Sequence, residues 1–114
     1  MLAKKSKLTG AKDYAKVQND GKVFQSDNFG IAYLDRNDKN PSRFGFIIST
    51  KIAKDAVDRN RCKRAMSEAV RIDSVNLIEG HDVVFLAKTS ISKLSTTDIM
   101  REVSLSLRKA GLMK

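Results

Sequence analysis

The sequence is poor in the residues on which small-protein chemistry is usually built. Its 114 residues contain one cysteine, one histidine, one proline and no tryptophan. A lone thiol excludes an internal disulfide, and one thiol with one imidazole cannot complete a zinc site. His81 follows Gly80 in a loop ahead of a strand and has no serine or cysteine in a recognisable arrangement, so it reads as a loop residue rather than a catalytic base. Carboxylates are too scattered for two-metal hydrolysis, because Asp35, Asp38, Asp55 and Asp58 fall at turns or helix caps. Aromatic residues make up only 6%, which predicts an aliphatic core. No apolar run approaches the roughly 18 residues of a membrane span, and no secretory pattern opens the chain. The expectation is a cytoplasmic protein with no membrane partner. Negative charge is also scarce: 13 Asp+Glu stand against 22 Lys+Arg, a net charge of +9. Such an excess favours any polyanion through counterion release. Membrane surfaces attract basic proteins too, so charge alone does not choose the partner.

The cations are concentrated in Arg59-Asn60-Arg61-Cys62-Lys63-Arg64, followed by the helix-forming Ala65-Met66-Ser67-Glu68-Ala69-Val70-Arg71. Winding this stretch at about 100° per residue separates two faces. Cys62, Ala65, Met66, Ala69 and Val70 share an arc of roughly 140°, enough to seat a helix on a sheet. Asn60, Lys63, Arg64, Ser67 and Arg71 share an arc of roughly 100° on the other side. Arg61 and Glu68 flank the far side, and their spacing does not make an i,i+4 pair. A single-sign face differs from the mixed Glu/Lys surface of an ordinary solvated helix, where i,i+4 pairs give support. From Arg59 to Arg71 the balance is five cations to one anion. Guanidinium forks and the Lys63 ammonium suit phosphates, and the Asn60 amide suits a base edge or a 2′-hydroxyl. The pattern favours contact with folded RNA over a face that only confers solubility. Cys62 sits among cations that lower a thiol pKa, but an apolar helix position accounts for it more simply.

The chain reads as one domain from residue 8 to 114 behind a flexible basic terminus, residues 1–7. Thr9 is the expected cap of a first helix from about Ala11 to Asn19, with Tyr14 and Val17 turned inward and Gly21 ending it. Residues 22–35 alternate as strands, with Phe29, Ile31 and Tyr33 on one face and Gly30, Ala32 and Leu34 on the other. Arg36-Asn37-Asp38-Lys39-Asn40-Pro41 is the strongest turn signal. Arg43–Ser49 is then expected to return as a strand, closing a hairpin with a wide loop. Asp55 caps a second helix reaching Ile72, with Asp58 in its first turn. Val83–Ala87 is apolar throughout, as a central strand should be, and is expected to run parallel to 43–49. Ser95 or Thr96 caps a last helix with Ile99, Met100, Val103, Leu107 and Ala110 as its apolar stripe, stopped by Gly111. The element order is α-β-β-β-α-β-α.

At Arg59-Asn60-Arg61-Cys62-Lys63-Arg64 the chain resembles the protein subunit of bacterial ribonuclease P, whose family carries an Arg-Asn-Arg-x-Lys-Arg helix. Phe44-Gly45-Phe46-Ile47-Ile48-Ser49-Thr50-Lys51 resembles that family's strand and the turn after it. Gly80–Lys88 resembles its last strand, Lys109-Ala110-Gly111-Leu112 its closing helix end, and Asp13-Tyr14-Ala15-Lys16-Val17 its first helix. The similarity spans residues 8–112. It implies an α/β (α+β) sandwich like the second domain of ribosomal protein S5, with a left-handed βαβ crossover that the general handedness rule disfavours. It further implies binding of the catalytic ribonuclease P RNA through Arg59, Asn60, Arg61, Lys63, Arg64, Ser67 and Arg71. Precursor tRNA would contribute its single-stranded 5′ leader to a cleft involving Tyr14, Gln18, Phe29 and Lys51. The implied chemistry is hydrolysis by the RNA with magnesium (Mg2+), leaving no catalytic residue on the protein. Three positions depart from the family pattern: Gln18 and Ala32 stand where aromatics are common, and Ser67 where arginine is. The alternative is a ribosomal or translational RNA-binding protein with no role in cleavage. A nuclease acting alone is disfavoured by the scattered carboxylates and lone histidine.

Overall fold

The computed structural model describes residues 4–49, 51 and 54–114. Its elements are α1 (Ala11–Asp20), β1 (Lys22–Gln25), β2 (Phe29–Asp35), β3 (Arg43–Ile47), α2 (Ala56–Ile72), β4 (His81–Ala87) and α3 (Thr96–Lys109). Short 3-10 turns lie at Lys4–Ser6, Ser74–Asn76 and Thr89–Lys93. The α-β-β-β-α-β-α order is that expected, and so is the parallel pairing of β3 with β4.

Strand order in the sheet is β1-β2-β4-β3. The expected hairpin between β2 and β3 is therefore not formed, because β4 inserts between them and pairs antiparallel with β2. The apolar run of β4 explains the preference: a strand apolar on both faces gains most from the centre of a covered sheet. Asp82 of β4 fastens both neighbours. Its carboxylate accepts from Arg36 just after β2 (2.9 Å) and from Arg43 of β3 (2.7 and 2.8 Å), and Arg43 also faces Asp13 of α1. That hydrogen bond to Asp82 is the main reason the Arg43 pKa is raised.

The sheet carries a core on each face. Phe29, Ile31, Phe44, Val83 and Phe85 meet α2 and α3 through Cys62, Met66, Val70, Ile99, Val103 and Leu107. The opposite face is smaller, with Leu8, Val17, Ala32 and Val84 under α1. Phe85 contacts Phe29 edge to face and stacks on Phe46.

Helix ends follow local chemistry, with one correction. Asp55 accepts from the Val57 N–H, and Ser95 accepts from the Asp98 N–H at 3.1 Å. Gly111, at φ 79°, closes α3 with bonds from Gly111 N–H to Arg108 and from Leu112 N–H to Leu107, the pattern in which a left-handed glycine satisfies the last carbonyls. The cap of α1 is Gly10 with no side-chain bond, not Thr9. The described part of the terminus is also docked. Lys7 forms a parallel bridge to Phe44, and Leu8 N–H donates to Phe44 at 2.9 Å.

Candidate nucleic-acid interface

Helix α2 is held by the buried face anticipated from its periodicity, including Cys62, Ala65, Met66, Ala69 and Val70. This fixes the azimuth of every polar residue on the helix. Asn60, Lys63, Arg64 and Arg71 are exposed as a consequence. Lys63 and Arg64 have no carboxylate or hydrogen-bond partner among the described residues, so their charge is directed to solvent.

The remaining cations are committed to differing degrees. Arg61 donates to the carbonyls of Leu94 (2.9 Å) and Ser92 (3.0 Å) and faces Asp58 at 3.5 Å. The absence of an i,i+4 partner therefore did not leave it unneutralised: an i,i+3 carboxylate and two carbonyls hold it. It staples α2 to the segment before α3. Arg71 chelates Glu68 across one helical turn, and this pairing holds the Glu68 carboxyl below its ordinary pKa. Arg59 donates to the Lys54 carbonyl at 2.9 Å. Ser67 is buried, with its hydroxyl donating to the Lys63 carbonyl at 2.7 Å. A short side chain on the shoulder of the helix is covered where an arginine would reach out, so Ser67 drops from the polar face. Burial also decides Cys62: desolvation pushes its thiol above the ordinary value against the opposing pull of Arg61, so the thiol is packed and protonated.

The residues expected around a leader cleft are not gathered in one place. Tyr14 lies over Gly45 of β3, where any added Cβ would overlap its ring. It lines a cavity of about 230 Å³ with Lys7, Lys63 and Ser67. Gln18, one turn further along α1, lines a different groove of about 390 Å³ with Val23, Gln25, Gly30, Ala32, Leu86, Ala87 and Lys88. Phe29 belongs to neither. It is fully buried on the α2/α3 face, as the alternation of β2 requires of a residue in phase with Ile31. Lys51 is exposed in the β3–α2 connection, and its neighbour Thr50 lies outside the described residues. Sequence reasoning missed Gln25 and Lys88. It is the strand register that places Gln25 opposite Gly30 on the α1 side of the sheet, and the sequence pattern alone did not single it out.

The chain spans a match to the ribonuclease P family model over residues 2–111. It is 36% identical over 104 residues to the ribonuclease P protein component of Clostridium kluyveri, covering 90% of this chain and 91% of that one. It is likewise 36% identical over 112 residues to that of Syntrophomonas wolfei, covering 98% and 92%. In fold it is similar to the Staphylococcus aureus RNase P protein, with a TM-score of 0.89 at 19% identity over 96% of this chain and 98% of that one. The Thermotoga maritima RNase P protein gives 0.78 at 21% identity over 90% and 96%.

Proposed function

Since this chain belongs to the ribonuclease P protein family, we propose that it docks the catalytic RNA through the outer face of α2 and holds the precursor tRNA leader on the α1 side of the sheet. The protein is the subunit of an endoribonuclease that matures tRNA 5′ ends as a ribonucleoprotein with ribonuclease P RNA, and the ribosomal alternative is left without support. The observation that carries the docking proposal is the split among α2 cations. Lys63 and Arg64 are free to meet phosphate, with Asn60 beside them, while Arg61 works inside the fold.

Catalysis belongs in this reading to the RNA and its magnesium ions, and the protein contributes affinity. Neutralising phosphates around the cleavage site lowers the magnesium needed to fold and load the RNA. Among the described residues no helix is long and apolar enough to cross a membrane. We place the protein in the cytoplasm, with precursor tRNA as its second partner. The experiment is reconstitution: added to a bacterial ribonuclease P RNA, the protein restores precursor tRNA cleavage at low magnesium. Failure with several such RNAs, together with tight binding to ribosomal RNA, overturns the proposal.

A further inference from the structure

A further groove lies between α2 and α3, with a cavity of about 540 Å³. These helices pack on one face of the sheet and α1 on the other, so this groove is separate from the α1 side. Ala65 is buried along it, Met100 is half-buried, and Val57, near the start of α2, is 72% exposed. The protein alone thus leaves apolar surface uncovered in a space of the size that takes a small aromatic ligand.

Arg61 lines the same groove in a fixed position. Its Nη1 and Nη2 donate to the Leu94 and Ser92 carbonyls, and its Nε stands 3.5 Å from Asp58. These contacts hold the guanidinium plane, yet 32% of the side chain stays open. A guanidinium whose donors are turned to the protein still offers its flat, weakly hydrated face, on which a base can stack. Such a contact adds affinity without releasing counterions, so it is invisible in a salt slope. A thioether such as that of Met100 also makes favourable contact with an aromatic ring.

Charge selects the occupant. Arg61 and Arg64 both line the groove, and the one carboxylate beside them, Glu68, is chelated by Arg71. A second copy of this chain would bring a net charge of +9 against these cations. RNA brings phosphate, and it presents an aromatic face wherever a base is unstacked.

We propose that the α2–α3 groove receives one unstacked nucleotide of the ribonuclease P RNA, its base against the Arg61 guanidinium and Met100 and its phosphate reached by Arg64. The inference rests on the proposal that α2 docks this RNA and deepens it: one extruded base sets the register in which the α2 cations meet the backbone. A nucleotide already unpaired in a loop or bulge costs least to extrude. Recognition by stacking accepts any base.

The test uses the full-length protein and a bacterial ribonuclease P RNA. Cys62 is packed and protonated, so Thr96→Cys, at an exposed position lining the groove, supplies the accessible thiol for a photo-crosslinker. Adducts are expected at one unpaired nucleotide. An abasic substitution there keeps the phosphate and should weaken binding about tenfold or more, with the salt slope unchanged. Met100→Ala should cost about three- to tenfold, and the abasic RNA should then lose little more. Val57→Ala, at an exposed side chain, should act in the same direction and carries the test if Met100→Ala unfolds. Adducts confined to paired nucleotides, to precursor tRNA or to a second copy of the protein overturn the inference, as does unchanged affinity for the abasic RNA. The docking proposal fails separately, if replacing Lys63 and Arg64 by alanine leaves affinity and salt slope at wild-type values.

Discussion

Replacing Lys63 and Arg64 together by alanine tests the central claim about α2. Both side chains are exposed and neither has a described partner. Each cation that neutralises one phosphate contributes about 0.9 to the slope of log affinity against log salt at the charge density of a B-form duplex, or about 0.7 at that of a single strand. The pair therefore accounts for about 1.4–1.8 of the slope. Raising salt fourfold, from about 50 to about 200 mM, should cost the wild type roughly 7- to 12-fold more affinity than the double variant. The assay is binding to ribonuclease P RNA across that range, with thermal unfolding in parallel to show that the fold is intact. Two controls separate charge from position. Arg61→Ala should lose about 1–3 kcal/mol of stability, because the Ser92 and Leu94 carbonyls lose their donor, with little change in salt slope. Glu68→Ala should release Arg71 and steepen the slope by up to about 0.9. A double variant with the wild-type slope, or an Arg61 variant that flattens it equally, would refute the assignment of roles.

Two further outcomes follow from the interior. Asp82→Asn removes the charge that ties Arg36 and Arg43 to β4. With Arg43 about a third open to solvent, the cost should sit near the low end for a broken buried pair, about 3 kcal/mol, and lower the melting temperature by about 10 °C; a shift of about 2 °C or less would mean the strands are held otherwise. The Cys62 thiol, raised by burial, contributes stability that is intact below the ordinary thiol value of about 8.5 and is lost as pH rises through the higher folded value. Unfolding measured from pH 8 to 10 should therefore fall off more steeply for the wild type than for Cys62→Ala, and parallel curves would contradict the packed, protonated thiol.

The buried face of α2 was legible because helical periodicity is a local property: once Cys62, Met66 and Val70 must face a sheet, the azimuth of Lys63 and Arg64 follows. Strand alternation likewise separated Phe29 from Ala32, although it did not say which face α1 would cover. What the periodicity of α2 could not show was which cations remain available. Winding the helix put Arg61 and Lys63 at different azimuths, but only the arrival of Ser92 and Leu94 beside Arg61 shows that its guanidinium is committed within the fold.

Composition, hydropathic periodicity and turn signals were sufficient to determine a small basic domain and its element order, because each depends on residue type and near-neighbour spacing, while its RNA partner followed from the resemblance of the Arg-Asn-Arg-x-Lys-Arg stretch to the ribonuclease P protein family. Strand order, the fates of Arg61 and Ser67, the sheet face that α1 covers, and the groove that Gln18 and Gln25 share were decided by tertiary structure alone. Those features depend on contacts between residues far apart in the chain, where the gain from packing one partner rather than another has no local signature.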